Sequence, residues 1–286
     1  PTLNCAPGRG VGQRLPARWV TIDDPDPPQA AQNGAAVFEQ GWDQGGARFS
    51  RIEGCFYGDD GIYFSCTDGG DAHLGQIWHY RPEVMVPAPL PGPAEMSELP
   101  FNNGIEALAL LADNGLLALS EGKIDKNSVV GWIRDGNDWS ALTYLTGGGF
   151  RVTGATTHPN GDVLVLERLF TPRGKNAIRL KRIKPSHIKG GARLEGKTVA
   201  ELRPPLTIDN FEGIEARREQ QGGVLVYFIS DDNFNSKQRT LLMMFQLQAS
   251  SLQQLLVLLT LLYLVLLEDL QLMQVSKFQL PQMELF

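Results

Sequence analysis

The sequence predicts an all-β fold, a β-propeller of four-stranded blades, and three observations carry that expectation. From about residue 48 to residue 247, short Val, Ile, Leu, Tyr and Phe runs are separated by Gly-Asp, Asp-Asn-Gly and Asn-Gly-Asp turns, the signature of hairpins. Four segments follow one plan: an inner strand with Glu-Gly or Glu-Ala, a turn, and an apolar strand ending in an acid. They are FSRIEGCFYGDDGIYFSCTDGG, NGIEALALLADNGLLALSEG, RVTGATTHPNGDVLVLERLF and NFEGIEARREQQGGVLVYFISDDN. Taking Glu53, Glu106, Gly154 and Glu212 as counterparts, the repeats start 53, 48 and 58 residues apart, which suits four-stranded blades better than solenoid units.

Residues 1–47 are rich in Pro, Gly, Asp and Gln and read as an extended lead-in, with WVTIDDPDPPQ a short strand running into a Pro-punctuated acidic turn. Residues 48–247 form the propeller. Its outer strands are GQIWHYRPE and VMVPAPL in blade one, VVGWIRDG and WSALTYL in blade two, AIRLKRIKP and KTVAELRPP in blade three, and RTLLMMFQL in blade four. Four blades is the low end of the propeller range, so the ring is small, or lacks blades, or borrows strands from the lead-in. An open ring would expose sheet edges to water. Residues 248–286 are Leu-dominated and read as a helical tail; the apolar core Leu255–Leu267 has 13 residues, short of the roughly 20 that a membrane span needs. No membrane partner is expected.

Composition excludes several classes. The 286 residues carry a net charge of −6 and no long basic run, which leaves no positive stripe for nucleic acid. Thirty-one Gly and 18 Pro without a triplet period exclude collagen and imply many turns. Cys5, Cys55 and Cys66 match neither a disulfide framework nor a zinc pattern. The chain opens at Pro1 without a basic or apolar leader, so any export signal is expected to have been removed or never present.

Two stretches resemble known families. Residues about 16–82, with LPARWVTIDDPDPP and ARFSRIEGCFYGDDGIYFSCTDGGDAHLGQIWHYRP, resemble the PhoX-type alkaline phosphatases, secreted calcium- and iron-dependent propeller phosphatases. Residues about 101–247, with FNNGIEALALL, LLALSEGK, GFRVTGATTHPNGDVLVLERLF and ISDDNFNSKQRTLLMMFQL, resemble the phytase-like esterase domain, a propeller family of exported bacterial proteins. The Pro-rich residues 83–100 are then a seam or an ordinary blade connection, and a seam is the preferred reading. By resemblance Glu106, Glu121, Glu167, Glu212, Asp231, Asp232 and Asn233 match recurring motif positions of the phytase-like family, and Glu53 matches an Arg-x-Glu-Gly motif of the PhoX type. The PhoX-type resemblance implies Fe3+ as a second cofactor beside Ca2+, but the early Cys- and Gly-rich motif and the later acidic motifs are missing and Cys5 does not match the early motif, so the implied Fe3+ ligand set is incomplete.

The acids supply the chemistry. Glu53, Glu106 and Glu212 lie where a propeller sets its innermost strand, and Glu121, Glu167, Asp231 and Asp232 close the next one, so they are expected at one mouth. Crowded carboxylates require raised pKa values or a cation, and Ca2+ with six to eight oxygen ligands is the natural one. The expected metal ligands are Glu53, Glu106, Glu121, Glu167, Glu212, Asp231, Asp232 and Asn233. Any one acid read alone is as well explained as a solvated turn residue. Arg168 and Arg239 are placed to offer paired donors to a phosphate, although a surface ion pair is the preferred reading of each, and strand alternation should turn Glu167 and Arg168 to opposite sides. Lys123 and Arg173 are loop cations with the same ambiguity.

His73, His79, His158 and His187 lack ligand spacing, and no nucleophile elbow or nucleotide loop is present. Trp78, Trp132 and Trp139 read as inter-blade packing. The expectation is a calcium-dependent hydrolase of small-molecule phosphoric esters with Glu106, Glu167, Glu212, Arg168 and Arg239 as catalytic residues, periplasmic or secreted by resemblance. The alternative is a non-catalytic, metal-stabilised propeller that binds a ligand or protein. A third possibility is a spliced chain that does not close.

Overall fold

Alternating apolar runs and tight turns fold each repeat into an antiparallel meander. A computed structural model describes residues 5, 10–15, 17, 19–25, 27–29, 33–58, 60–71, 73–83, 86–100, 103–171, 176–219, 223–233, 235, 237–247 and 265–266. Blade one is β1 (Ile52–Gly58), β2 (Gly61–Cys66), β3 (Gln76–Arg81) and β4 (Val86–Leu90). Blade two is β5 (Ile105–Leu110), β6 (Leu116–Asp125), β7 (Ser128–Asp135) and β8 (Asp138–Leu145). Blade three is β9 (Arg151–Thr157), β10 (Val163–Leu169), β11 (Ala177–Ile183) and β13 (Lys197–Leu202), while β12 (Arg193–Leu194), from the β11–β13 connection, crosses to pair parallel with β8. Blade four is β14 (Phe211–Arg218), β15 (Val224–Ser230), β16 (Leu241–Leu247) and β17 (Val265–Leu266). The four sheets stand in a ring, a four-bladed β-propeller. Every outer strand lies where the sequence places it.

Inner strands pack in chain order, β1 on β5, β5 on β9 and β9 on β14. The small residue after the repeat's glutamate explains how they approach. A Cβ at Gly54 would stand 2.9 Å from the Glu106 carbonyl oxygen, and one at Gly154 would stand 2.8 Å from that of Glu212. Glycine here admits the neighbouring backbone.

Apolar clusters fill the blade interfaces, as burial of one sheet face against the next requires. Ile77 and Met96 pack with Ile105, Leu108 and Trp132 between blades one and two. Leu117, Leu119 and Tyr144 pack with Val163, Val165 and Leu194 between two and three, and Leu164, Leu166 and Leu180 pack with Phe211, Val226 and Phe228 between three and four. Trp78 and Trp132 are fully buried, and the Trp139 indole N–H donates to the Pro91 carbonyl at 2.6 Å. Residues 91–100 thus pack as a blade connection, with a 3-10 turn at Ala94–Glu98 that seats Met96.

Two expectations need correction. The lead-in is not extended throughout: it forms α1 (Ala36–Asp43), where Phe38 stacks on Trp42 one helical turn away at 5.8 Å in a stretch free of Pro. Cys5 and Leu15 from this segment, with Phe49 just after it, cover the face of blade one that carries Cys66 and Trp78. Within the expected helical tail, Val265–Leu266 is a strand paired antiparallel with Leu242 and Leu241, because the open edge of β16 offers hydrogen bonds that an isolated apolar run lacks. The rest of residues 248–286 lies outside the described residues.

Candidate functional site

One irregularity recurs in all four blades and aims side chains at the ring's mouth. Pairing steps from Ile52↔Cys66 to Cys55↔Phe64 in blade one, and from Ile105↔Ser120 to Ala107↔Leu119 in blade two. It steps from Val152↔Glu167 to Gly154↔Leu166 in blade three, and from Phe211↔Ser230 to Gly213↔Ile229 in blade four. Each step is a β-bulge, which leaves one residue unpaired and re-aims it. The bulged residues are Glu53, Glu106, Thr153 and Glu212, so Thr153, and not Gly154, is the third repeat's counterpart of the glutamates.

The same register fixes two further positions per blade. The residue before each bulge pair is Arg51, Gly104, Arg151 or Asn210, and the residue after its partner is Thr67, Glu121, Arg168 or Asp231. Asp68 and Glu121 are therefore not counterparts, although each lies 15 residues after its glutamate; the turn of blade one is shorter. Gly104 is a glycine for want of room, since a Cβ there would lie 2.8 Å from the Thr67 carbonyl oxygen.

These positions, save Gly104 and Thr67, line one cavity of about 540 Å3 together with Gly149, Asn233 and Gln238. Arg51 and Asn233 hold positive φ of 47° and 52° on its wall. Non-glycine residues adopt that backbone only when their surroundings impose it, and such residues cluster at functional sites.

Charge in the cavity is paired, twice across blades and once within blade one. Arg151 bonds Glu121 at 2.8 Å, Arg168 bonds Glu212 at 2.9 Å, and Arg51 bonds Glu53 at 3.3 Å. Glu106, only 8% exposed, has no guanidinium partner among the described residues. Burial, reinforced by Glu53 and Glu121, pushes its carboxyl up to about 8. Burial pushes Glu212 up to about 7 despite Arg168, and raises Glu53 against the pull of Arg51. The Nε of Arg168 and the Oγ1 of Thr153, both on this wall, are buried without a hydrogen-bond partner.

The donor set suits a hard divalent cation in kind and in charge: all oxygen, with five carboxylates against three guanidiniums. Its spacing is looser, for among the described residues no three acidic, imidazole or thiol groups converge on one point. Three of the five carboxylates lean instead towards arginines.

Of the residues expected at the mouth, the structure brings together Glu53, Glu106, Glu121, Glu212, Asp231, Asn233 and Arg168. Glu167, Asp232 and Arg239 stand elsewhere. Glu167 and Arg168 face opposite sides of β10, as strand alternation requires, so Arg168 reaches blade four and Glu167 turns towards blade two. There Glu167 is fully buried, accepting from Tyr144 Oη at 2.9 Å and Arg179 Nε at 2.5 Å, with Lys181 Nζ at 3.4 Å. Burial raises its carboxyl while these partners oppose the rise. Lys181 donates to the Leu145 and Thr146 carbonyls, and Arg179 donates to Thr146 and lies over the Phe150 ring at 3.8 Å. Together they pin the base of the Gly147–Gly149 loop, whose three residues all have positive φ and whose Gly149 lines the cavity.

Asp232 accepts from Thr240 Oγ1 at 3.2 Å, and the Arg239 amide and guanidinium both engage Asp209. Arg173 and the Lys123 side chain lie outside the described residues. Sequence reasoning missed Arg51, Arg151, Thr153 and Asn210. Aligning RIEG, GIEA, RVTG and NFEG on their small residues would have found all four.

Fold and mouth define a class: a β-propeller with an acid- and arginine-lined cavity at its mouth, of hydrolase-like type. The chain belongs to the phytase-like family, described as esterase-like activity of phytase, whose family model matches residues 8–234, a span that includes residues 83–100. No match was found among curated protein sequences. Solved structures that resemble it include a protein of unknown function from Dyadobacter fermentans, at 12% identity and TM-score 0.36, covering 66% of this chain and 58% of that one. The Hadza microbial sialidase Hz136 matches at 9% identity and TM-score 0.41, covering 68% of this chain and 44% of the sialidase. A protein of unknown function from Bacteroides caccae matches at 12% identity and TM-score 0.35, covering 68% and 77%. The chain thus spans less than two thirds of the first two. Among the described residues, no helix is long and apolar enough to cross a membrane.

Proposed function

We propose that the chain hydrolyses small-molecule phosphoric esters at the propeller mouth in a calcium-dependent reaction. The observation that carries this reading is Glu106, a buried acid without an ion-pair partner among the described residues, pushed up to about 8 on the wall of a cavity that also holds arginines. At neutral pH Glu106 keeps its proton and serves as general acid. Glu212, pushed up to about 7, exchanges its proton in the same range and serves as general base. Water gives a proton to Glu212 as its oxygen forms the new P–O bond; the ester P–O bond breaks, and Glu106 protonates the departing alkoxide. Glu53, which feels the charges of both Glu121 and Asp231, would hold calcium with those two acids, and calcium when bound would supply Lewis-acid polarisation of a phosphoryl oxygen. The same reading sets the protein in the periplasm or outside the cell, where a calcium site of modest affinity stays loaded. The PhoX-type likeness of residues 16–82 is a second pointer to phosphoric esters; no iron site is proposed.

The test is hydrolysis of a general phosphomonoester with calcium and with chelator. Turnover that chelator abolishes and Glu106→Gln reduces supports the reading; turnover indifferent to chelator removes calcium from it, and no turnover in any metal overturns it. One observation favours a second reading, a non-catalytic binding module: Glu53, Glu121 and Glu212 are already ion-paired. That reading predicts a calcium-raised Tm without hydrolysis.

A further inference from the structure

Blade three breaks the acidic pattern of its neighbours. At the three mouth positions blade one carries Arg51, Glu53 and Thr67, blade two Gly104, Glu106 and Glu121, and blade four Asn210, Glu212 and Asp231; blade three carries Arg151, Thr153 and Arg168 and no acid. Arg151 and Arg168 are directly opposite in the β9–β10 register. Like charges across a strand pair repel, and each is drawn aside to a glutamate of a different neighbour, Arg151 to Glu121 of blade two and Arg168 to Glu212 of blade four. Between them the wall has donors with nothing to bond. Thr153 is 5% exposed with its Oγ1 unpartnered, and the Nε of Arg168 is buried and unpartnered. Buried donors without acceptors are costly and uncommon, and on a cavity wall they call for an oxygen ligand. Gly149 lines the same cavity and brings no side chain to obstruct it.

We propose that blade three is the anion subsite of this mouth and selects a dianionic terminal phosphoryl group, so that phosphomonoesters are preferred to diesters; this rests on the hydrolase reading above. Two guanidiniums, each shared with a neighbouring glutamate, and a hydroxyl present donors to the three non-bridging oxygens of a monoester. A diester offers two such oxygens and one charge, leaving a buried donor unmet. Arg168 supplies paired donors in a planar fork that lysine cannot reproduce.

The probe is inorganic phosphate, titrated into the full chain by calorimetry in chelator and again in calcium. Phosphate is expected to bind without metal, and Thr153→Val and Arg168→Lys are each expected to weaken it about ten-fold, the loss of one charge-assisted bond or satisfied donor. Arg151→Gln, at a side chain 47% exposed, is a third variant that leaves the core untouched. The monoester-to-diester ratio of kcat/KM should fall in parallel in all three. Phosphate that fails to bind the wild type, or binds all three variants equally well, overturns the subsite. If phosphate binding behaves as expected but no ester is cleaved, the subsite stands and the hydrolase reading falls; if esters are cleaved with no preference for monoesters, the hydrolase reading stands and the subsite falls.

Discussion

Replacing Glu167 with Ala removes the one carboxylate that balances two cations in the interface between blades two and three. Its side chain is 0% exposed, and those of Arg179 and Lys181 are 12% and 6% exposed, so water cannot take its place. Removing one partner of a buried ion pair costs about 3–5 kcal/mol, and the orphaned Tyr144 hydroxyl adds about 1 kcal/mol. At about 2–4 °C per kcal/mol for a domain of this size, Tm should fall by on the order of 10 °C. Glu212→Ala is the control. Its carboxylate is 28% exposed and also ion-paired, but solvent reaches both partners, so about 1 kcal/mol or less is expected. Urea unfolding followed by tryptophan fluorescence suits the measurement, since Trp78 and Trp132 are fully buried. Lys181, whose ammonium burial already pushes down, would shed its proton more readily in the variant, so the cost should shrink as pH rises. A loss below about 1 kcal/mol, or one no larger than that of Glu212→Ala, refutes the assignment of Glu167 to the blade interface.

Stability should also depend on pH through the mouth. Glu106 and Glu212 are pushed up from 4.5 to about 8 and about 7, so the folded protein keeps protons that the unfolded chain has already lost. Their contribution is full below pH 4.5 and is lost as pH rises towards 8, by at most about 5 kcal/mol for Glu106; Glu106→Gln should flatten the profile, and a wild type equally stable at both ends contradicts this. Calcium should stabilise the wild type by about 2.7 kcal/mol at a hundred-fold excess over Kd, seen as a raised Tm, and Glu53→Gln should reduce the effect; equal shifts in both remove Glu53 from the ligand set. Gly154→Ala places a Cβ 2.8 Å from the Glu212 carbonyl oxygen and should cost about 1–3 kcal/mol by overpacking; unchanged urea unfolding would mean that β9 and β14 can part freely.

Strands and turns were legible in the sequence because both are local: alternation sets a strand's face, and Asn160–Gly161 turns the third hairpin with the positive φ that glycine allows. α1 was not, because the Pro- and Gly-rich text around Ala36–Asp43 hides an aromatic pair whose value depends on helical spacing. The mouth was half legible for a different reason. Which residue bulges is a property of two strands in register, so Thr153 is not told from Gly154 along one strand taken alone but only by setting the four inner strands side by side, and a repeat spacing matched Asp68 to Glu121 across hairpins with unequal turns. Reading acids alone also miscounts charge. Arg51 and Arg151 open the same repeats that supply Glu53 and Thr153, and they neutralise carboxylates that an acid-only reading assigns wholly to a metal. In a ring built from one repeated unit, a counterion on one blade can serve the acid of the next, as Arg151 serves Glu121 and Arg168 serves Glu212. The charge available to a ligand is therefore the residue of that exchange, concentrated at Glu106, which has no such partner, and at Thr153 and Arg168, which have donors to spare.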